Sequence, residues 1–92
     1  MDPQARLNEL SRTLIGAAIE VHLTIGPGML ESAYKACLVA ELLIRGASLE
    51  VERSVALAYK NVRVDCAYRL DILVERTIIV EVKAVEIGRA HV

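Results

Sequence analysis

Arg69-Leu-Asp-Ile-Leu-Val-Glu-Arg-Thr-Ile-Ile-Val-Glu-Val-Lys83 decides how this chain folds. Its uncharged residues are almost all apolar and mostly β-branched, which reads as two strands, and Glu75-Arg76-Thr77 is the polar turn between them. Glu81 and Lys83 are two apart, so they share a face of their strand. A three-residue loop at 75–77 pairs Asp71 opposite Glu81. A two-residue loop sends Asp71 to the other face, because a one-residue slip inverts every side chain. In the first register Ile72, Val74, Ile78, Val80 and Val82 form one apolar face. The other face carries Leu73 and Ile79, then Asp71, Glu81 and Lys83 together.

Two carboxylates and an ammonium grouped on a sheet are costly unless they pair with one another or hold a metal. A partly exposed salt bridge of Lys83 with Glu81 or Asp71 satisfies the same pattern, and such pairs are common and weak. Spacing alone does not choose between the two. If the acids crowd each other, neutralising one of them is expected to relieve repulsion and raise stability in the absence of metal.

Ninety-two residues make one small domain. The apolar share of 54%, with no Trp and no Phe, means a core of Leu, Ile, Val and Ala. A formal net charge of −1 gives no global basic field, which argues against strong non-specific nucleic-acid binding and leaves room for a local patch. Cys37 and Cys66 have no CxxC or Cys/His ligand spacing around them, so they read as reduced, inert thiols of a cytoplasmic protein. The N-terminus lacks an apolar signal core, and no apolar run is long enough to span a membrane.

Two helices precede the strands. Asp2-Pro3 is a helix start, and Leu7, Leu10, Leu14, Ala17, Ala18 and Val21 follow helical spacing to about Thr24. Gly26-Pro27-Gly28 ends that helix. A second helix runs from Met29 or Leu30 to Arg45, where Gly46 is a natural stop. Leu49, Val51, Val55 and Leu57 mark a strand, Tyr59-Lys60-Asn61 a turn, and Val62–Val64 a short strand before the hairpin. The order predicts an α/β (α+β) fold: two N-terminal helices followed by a three- to four-stranded, mostly antiparallel sheet. Glu20 and His22 read as a solvated face. Glu31 in the second helix's first turn is expected for the helix dipole alone, and Tyr34 for packing.

Gly28-Met-Leu-Glu31-Ser-Ala-Tyr34 resembles the motif of the GxxExxY proteins, small bacterial and archaeal members of the PD-(D/E)XK nuclease superfamily. The resemblance extends from about Leu14 to Val85. It includes Ile15-Gly-Ala-Ala-Ile-Glu-Val-His22, Gly26-Pro27-Gly28, Glu52-Arg53, Tyr59-Lys60, Tyr68-Arg-Leu-Asp71 and Ile79-Val-Glu-Val-Lys-Ala84. It implies a restriction-endonuclease-like core and metal-dependent hydrolysis of phosphodiester bonds in DNA or RNA. By that resemblance Asp71 and Glu81 are metal ligands for Mg²⁺ or Mn²⁺, Lys83 stands beside the attacking water, and Glu31 is the acid contributed by the helix. Mg²⁺ takes hard oxygen donors, usually one or two carboxylates with waters and phosphate oxygens, which suits such a pair. Leu70 stands where the superfamily's name has Pro. A non-catalytic module that binds nucleic acid or protein on the same fold is the competing class, and a plain structural domain with a salt bridge is the third.

The family continues past its Glu-x-Lys strand with a further helix and strand, so residues 1–85 read as a truncated domain. Glu86-Ile-Gly-Arg-Ala-His-Val92 resembles a translated sequencing adapter, GAG ATC GGA AGA GCA CAC GTC, and is expected to be a non-family tail. The nearly continuous apolar run Ile78–Val82 reads as a strand buried on both faces. As the last strand its edge would lie open, which predicts homodimer formation or aggregation through it.

Overall fold

A computed structural model describes residues 2–83; the tail at 86–92 and the proposed domain end at Val85 lie outside them. Helix α1 spans Pro3–Ile25 and α2 spans Glu31–Ile44. Strands β1 (Leu49–Tyr59), β2 (Val62–Val74) and β3 (Ile78–Val80) form one antiparallel sheet in the order β1-β2-β3. The expected short strand at Val62–Val64 is the beginning of β2. A register shift between Val55 and Leu57 sets three β2 residues against one on β1, so the long strand bends there rather than ending.

Both helix boundaries have local causes. The Asp2 carboxylate accepts the N–H groups of Gln4 and Ala5, and Pro3 fills the first turn. Gly26 ends α1 at φ 74°, donating its N–H to the His22 carbonyl. Gly28 sits at φ 85°, a conformation that L side chains adopt only with strain, just before α2 begins. The Tyr34 hydroxyl donates to the Ala18 carbonyl at 3.2 Å and ties α2 to α1.

The core lies between the helices and one face of the sheet. Ala17 and Val21 of α1, Leu38 and Leu42 of α2, and Ile72, Val74 and Val82 form one buried cluster, with Ile78 and Val80 packed against it. These are the sheet residues of even number, as the alternation requires. The second face is open: Ile79 is 55% exposed, so β3 is not buried on both sides as its unbroken apolar run suggests. One face needs cover from the helices, and Ile79 is the residue that alternation leaves outside.

The turn at 75–77 has three residues, and the ladder runs Ile72–Val80, Leu73–Ile79 and Val74–Ile78. Thr77 donates its N–H to the Val74 carbonyl at 2.9 Å, with Glu75 and Arg76 both at positive φ, 50° and 54°. Consecutive positive φ values match the right-handed twist of a tight hairpin. Glu75 also anchors the turn. Its N–H donates to the Ser48 carbonyl at 2.8 Å, and its carboxylate accepts the Ser48 N–H and pairs with Arg6 of α1. The Ser48 N–H is the main reason that the Glu75 carboxyl titrates below its ordinary 4.5; burial opposes it, and Arg6 lowers it further.

Arg76 is exposed and carries the cost of its left-handed backbone without a Gly to absorb it. That cost is about 1–2 kcal/mol for an L-residue, and Gly returns roughly 0.5–1 kcal/mol of it as chain entropy. Arg76→Gly is therefore expected to stabilise the protein by about 0.5 kcal/mol, raising Tm by roughly 2–4 °C. A melting curve that moves down would show that the turn is not held at this φ.

Candidate metal and catalytic site

The register carries Asp71 to the position opposite Glu81, one step beyond the last paired residues, Ile72 and Val80. There the ladder stops: β3 ends at Val80, short of the expected Lys83. Asp71 supplies the reason. Its Oδ2 accepts the Val82 N–H at 2.9 Å, so a side chain takes a donor that the ladder would otherwise use. The register sets Glu81 across from it, and the Glu81 side chain adds to the lowering of the Asp71 carboxyl.

Electrostatics at Asp71 favour the charged form. The Val82 N–H is the chief cause holding its carboxyl below the ordinary 3.8; partial burial opposes it, and the Lys35 ammonium and the contact with Glu81 lower it further. Lys35, in the second turn of α2, places Nζ 3.5 Å from Asp71 Oδ1 and 3.4 Å from Glu52 Oε1. Glu52 in turn holds Arg69 through Oε2 at 3.2 Å. It faces Asp71 across β1–β2 but leaves the ladder, with φ 54°. A non-Gly residue in that region is strained by roughly 1–3 kcal/mol, and such strain collects at functional sites.

Two adjoining cavities meet at this strand end. One of about 520 Å³ is lined by Gly28, Glu31 and Tyr34 on one side and by Glu81, Val82 and Lys83 on the other, with His22 at its rim. The second is shallower and is lined by Glu31, Lys35, Glu52 and Asp71. Glu31 lines both. Of the motif Gly28, Glu31 and Tyr34, the first and last have backbone and helix-tying work, whereas Glu31 faces the cavities. Glu81, Lys83 and Glu31 are all exposed to solvent.

Asp71 and Glu81 are thus brought together, with Lys83 two residues on. Glu31 stands across the cavity it shares with Glu81 and Lys83. It does not complete a compact three-acid cluster: among the described residues no three His, Cys, Asp or Glu side chains form a metal-holding group. Helix α2 packs on the apolar face of the sheet and touches the acids through Lys35. Sequence reasoning missed Lys35 and the pairing of Glu52. Lys35 is four residues after Glu31, hence on the same helix face, and that spacing was the available signal. The turned backbone at Glu52 has none.

A model of the PD-(D/E)XK nuclease superfamily matches residues 8–92, and the chain belongs to that superfamily. It is a nuclease-like domain of a class that generally uses divalent metals and acts on nucleic acid. No curated protein and no solved structure matches the chain. Among the described residues no helix is long and apolar enough to cross a membrane.

A donor N–H and an ammonium hold Asp71, and its contact with Glu81 also favours the charged form, so neutralising this acid is predicted to cost stability rather than to raise it. A carboxyl whose folded pKa is depressed contributes stability above its unfolded pKa, and that contribution disappears as pH falls through the folded value. Asp71→Asn should therefore cost about 1 kcal/mol at pH 7. The gap should close as the pH falls below the ordinary 3.8 of Asp71. Urea denaturation of both proteins between neutral and acid pH measures it; equal stability at pH 7 would contradict the assignment.

Proposed function

We propose that this chain is a GxxExxY-type nuclease that hydrolyses phosphodiester bonds of DNA or RNA with Mg²⁺ or Mn²⁺, in the cytoplasm. The observation that carries the reading is the register that sets Asp71 opposite Glu81 at the end of the hairpin, with Lys83 two residues on. Their chemistry fits the ion. Both are hard oxygen donors that oppose each other at the hairpin end, Glu81 exposed and Asp71 half-buried, and Mg²⁺ takes one or two carboxylates while keeping several waters. Asp71 and Glu81 would hold it. A bound divalent ion supplies Lewis acidity, lowering the pKa of water and offsetting charge on the phosphate.

The chain's own groups do the rest. The Val82 N–H fixes the rotamer of Asp71, so one oxygen is oriented before any ligand arrives. Lys83 is an exposed cation lining the cavity; it orients the attacking water and neutralises charge developing on the phosphoryl oxygens. Glu31 offers an acid from the opposite wall, able to accept a proton from that water. Gly28 brings no side chain to that wall, which leaves room for a phosphate backbone.

A non-catalytic nucleic-acid- or protein-binding module is the second reading, favoured by the ion pair between Lys35 and Asp71, which fills one carboxylate with a cation of the chain's own. Cleavage assays on plasmid DNA and on single-stranded RNA separate the two. The nuclease reading expects cleavage with Mg²⁺ or Mn²⁺, none in EDTA, and a loss of at least about 100-fold in Asp71→Asn and Glu81→Gln. Cleavage that persists in EDTA or survives both substitutions would refute the mechanism. A wild type that binds nucleic acid without cutting it would favour the module.

A further inference from the structure

Lys35 is the cation that pairs with Asp71, and its geometry is unusual for a fixed salt bridge. Its side chain is only 17% exposed, yet its contacts to Asp71 and Glu52, at 3.5 and 3.4 Å, both exceed the roughly 2.7–2.9 Å of a charge-assisted N–H···O bond. The ammonium is shared between two carboxylates and locked to neither. Asp71 Oδ2 is committed to the Val82 N–H, so the oxygen turned toward Lys35 is Oδ1. Glu52 supplies the alternative seat, since Arg69 takes its other oxygen and holds it in place.

We propose that Lys35 is a resident counter-cation: it neutralises Asp71 in the metal-free protein, moves onto Glu52 when a divalent ion arrives, and so sets the affinity of the site for metal. This rests on the metal site proposed above. The physical basis is charge alone. In the metal-free protein the Lys35 ammonium offsets the negative charge of Asp71. With a divalent ion in place, the ammonium at its present distance becomes a like charge. Binding must then either displace it by the short step to Glu52 or work against it. Lys35 is on this account a positioning residue, touching neither substrate nor scissile bond.

The Val82 amide reports on the site, because its N–H is bonded to Asp71. Mg²⁺ titrations followed by that amide's NMR shift would be run on wild type, Lys35→Met, Lys35→Gln, Lys35→Arg and Asp71→Asn. Loss of a charge this close should tighten Mg²⁺ binding about ten-fold in the Met and Gln variants, while Arg tracks the wild type. The two neutral variants guard against one of them failing to fold. Binding in wild type that is lost in Asp71→Asn but unchanged or weaker in both neutral variants overturns the role of Lys35 and leaves the metal site standing. A Val82 amide that answers Mg²⁺ in none of the proteins overturns both.

Discussion

The three-residue turn at Glu75-Arg76-Thr77 is the constraint on which the rest depends. It fixes the parity of the hairpin, and parity decides two things together. It turns Ile72, Val74, Ile78, Val80 and Val82 toward the helices, and it sets Asp71 opposite Glu81. A turn shorter by one residue would expose the core face and separate the acids in the same step. The protein maintains the turn against local strain, with two non-Gly residues at positive φ. Glu75 compensates by joining it to Ser48 at the start of β1 and to Arg6 of α1.

The site forms where regular pairing ends. Beyond Val80 the sheet ladder yields to the Asp71 side chain, which captures the Val82 N–H. That exchange orients one carboxylate and leaves Glu81 and Lys83 free of ladder geometry, facing a cavity bounded by the start of α2. On the neighbouring strand Glu52 departs from the ladder at the same level. A rigid, apolar layer thus carries, at one end, a set of charged groups whose backbone no longer needs to pair with a neighbour.

Much of this was legible in the residues. Alternation in 69–83 identified the buried face and the charged face, and the Asp2 cap and Gly26-Pro27-Gly28 bounded α1. The length of the turn had to be inferred from the polarity of Glu75, Arg76 and Thr77. The early end of β3 was not legible, because apart from Glu81 the run Ile78 to Val82 is apolar and β-branched, and nothing in it announces that Asp71 will intercept a backbone donor. The continuity of β2 was hidden by the bulge at 65–67, where three residues face one and the alternation breaks. Lys35 was missed because a lysine on an amphipathic helix ordinarily reads as solvated; its partner Glu52 is reached only through a backbone turn that sequence does not encode in any simple way.

The central claim is that hairpin register converts two distant acids into one divalent-metal site. Anomalous scattering from crystals of the protein grown with Mn²⁺ tests it most directly. The account predicts a manganese peak within roughly 2–2.5 Å of an oxygen of both Asp71 and Glu81. A peak held by other residues, or well-ordered Asp71 and Glu81 carboxylates with no manganese between them at saturating concentration, would contradict it.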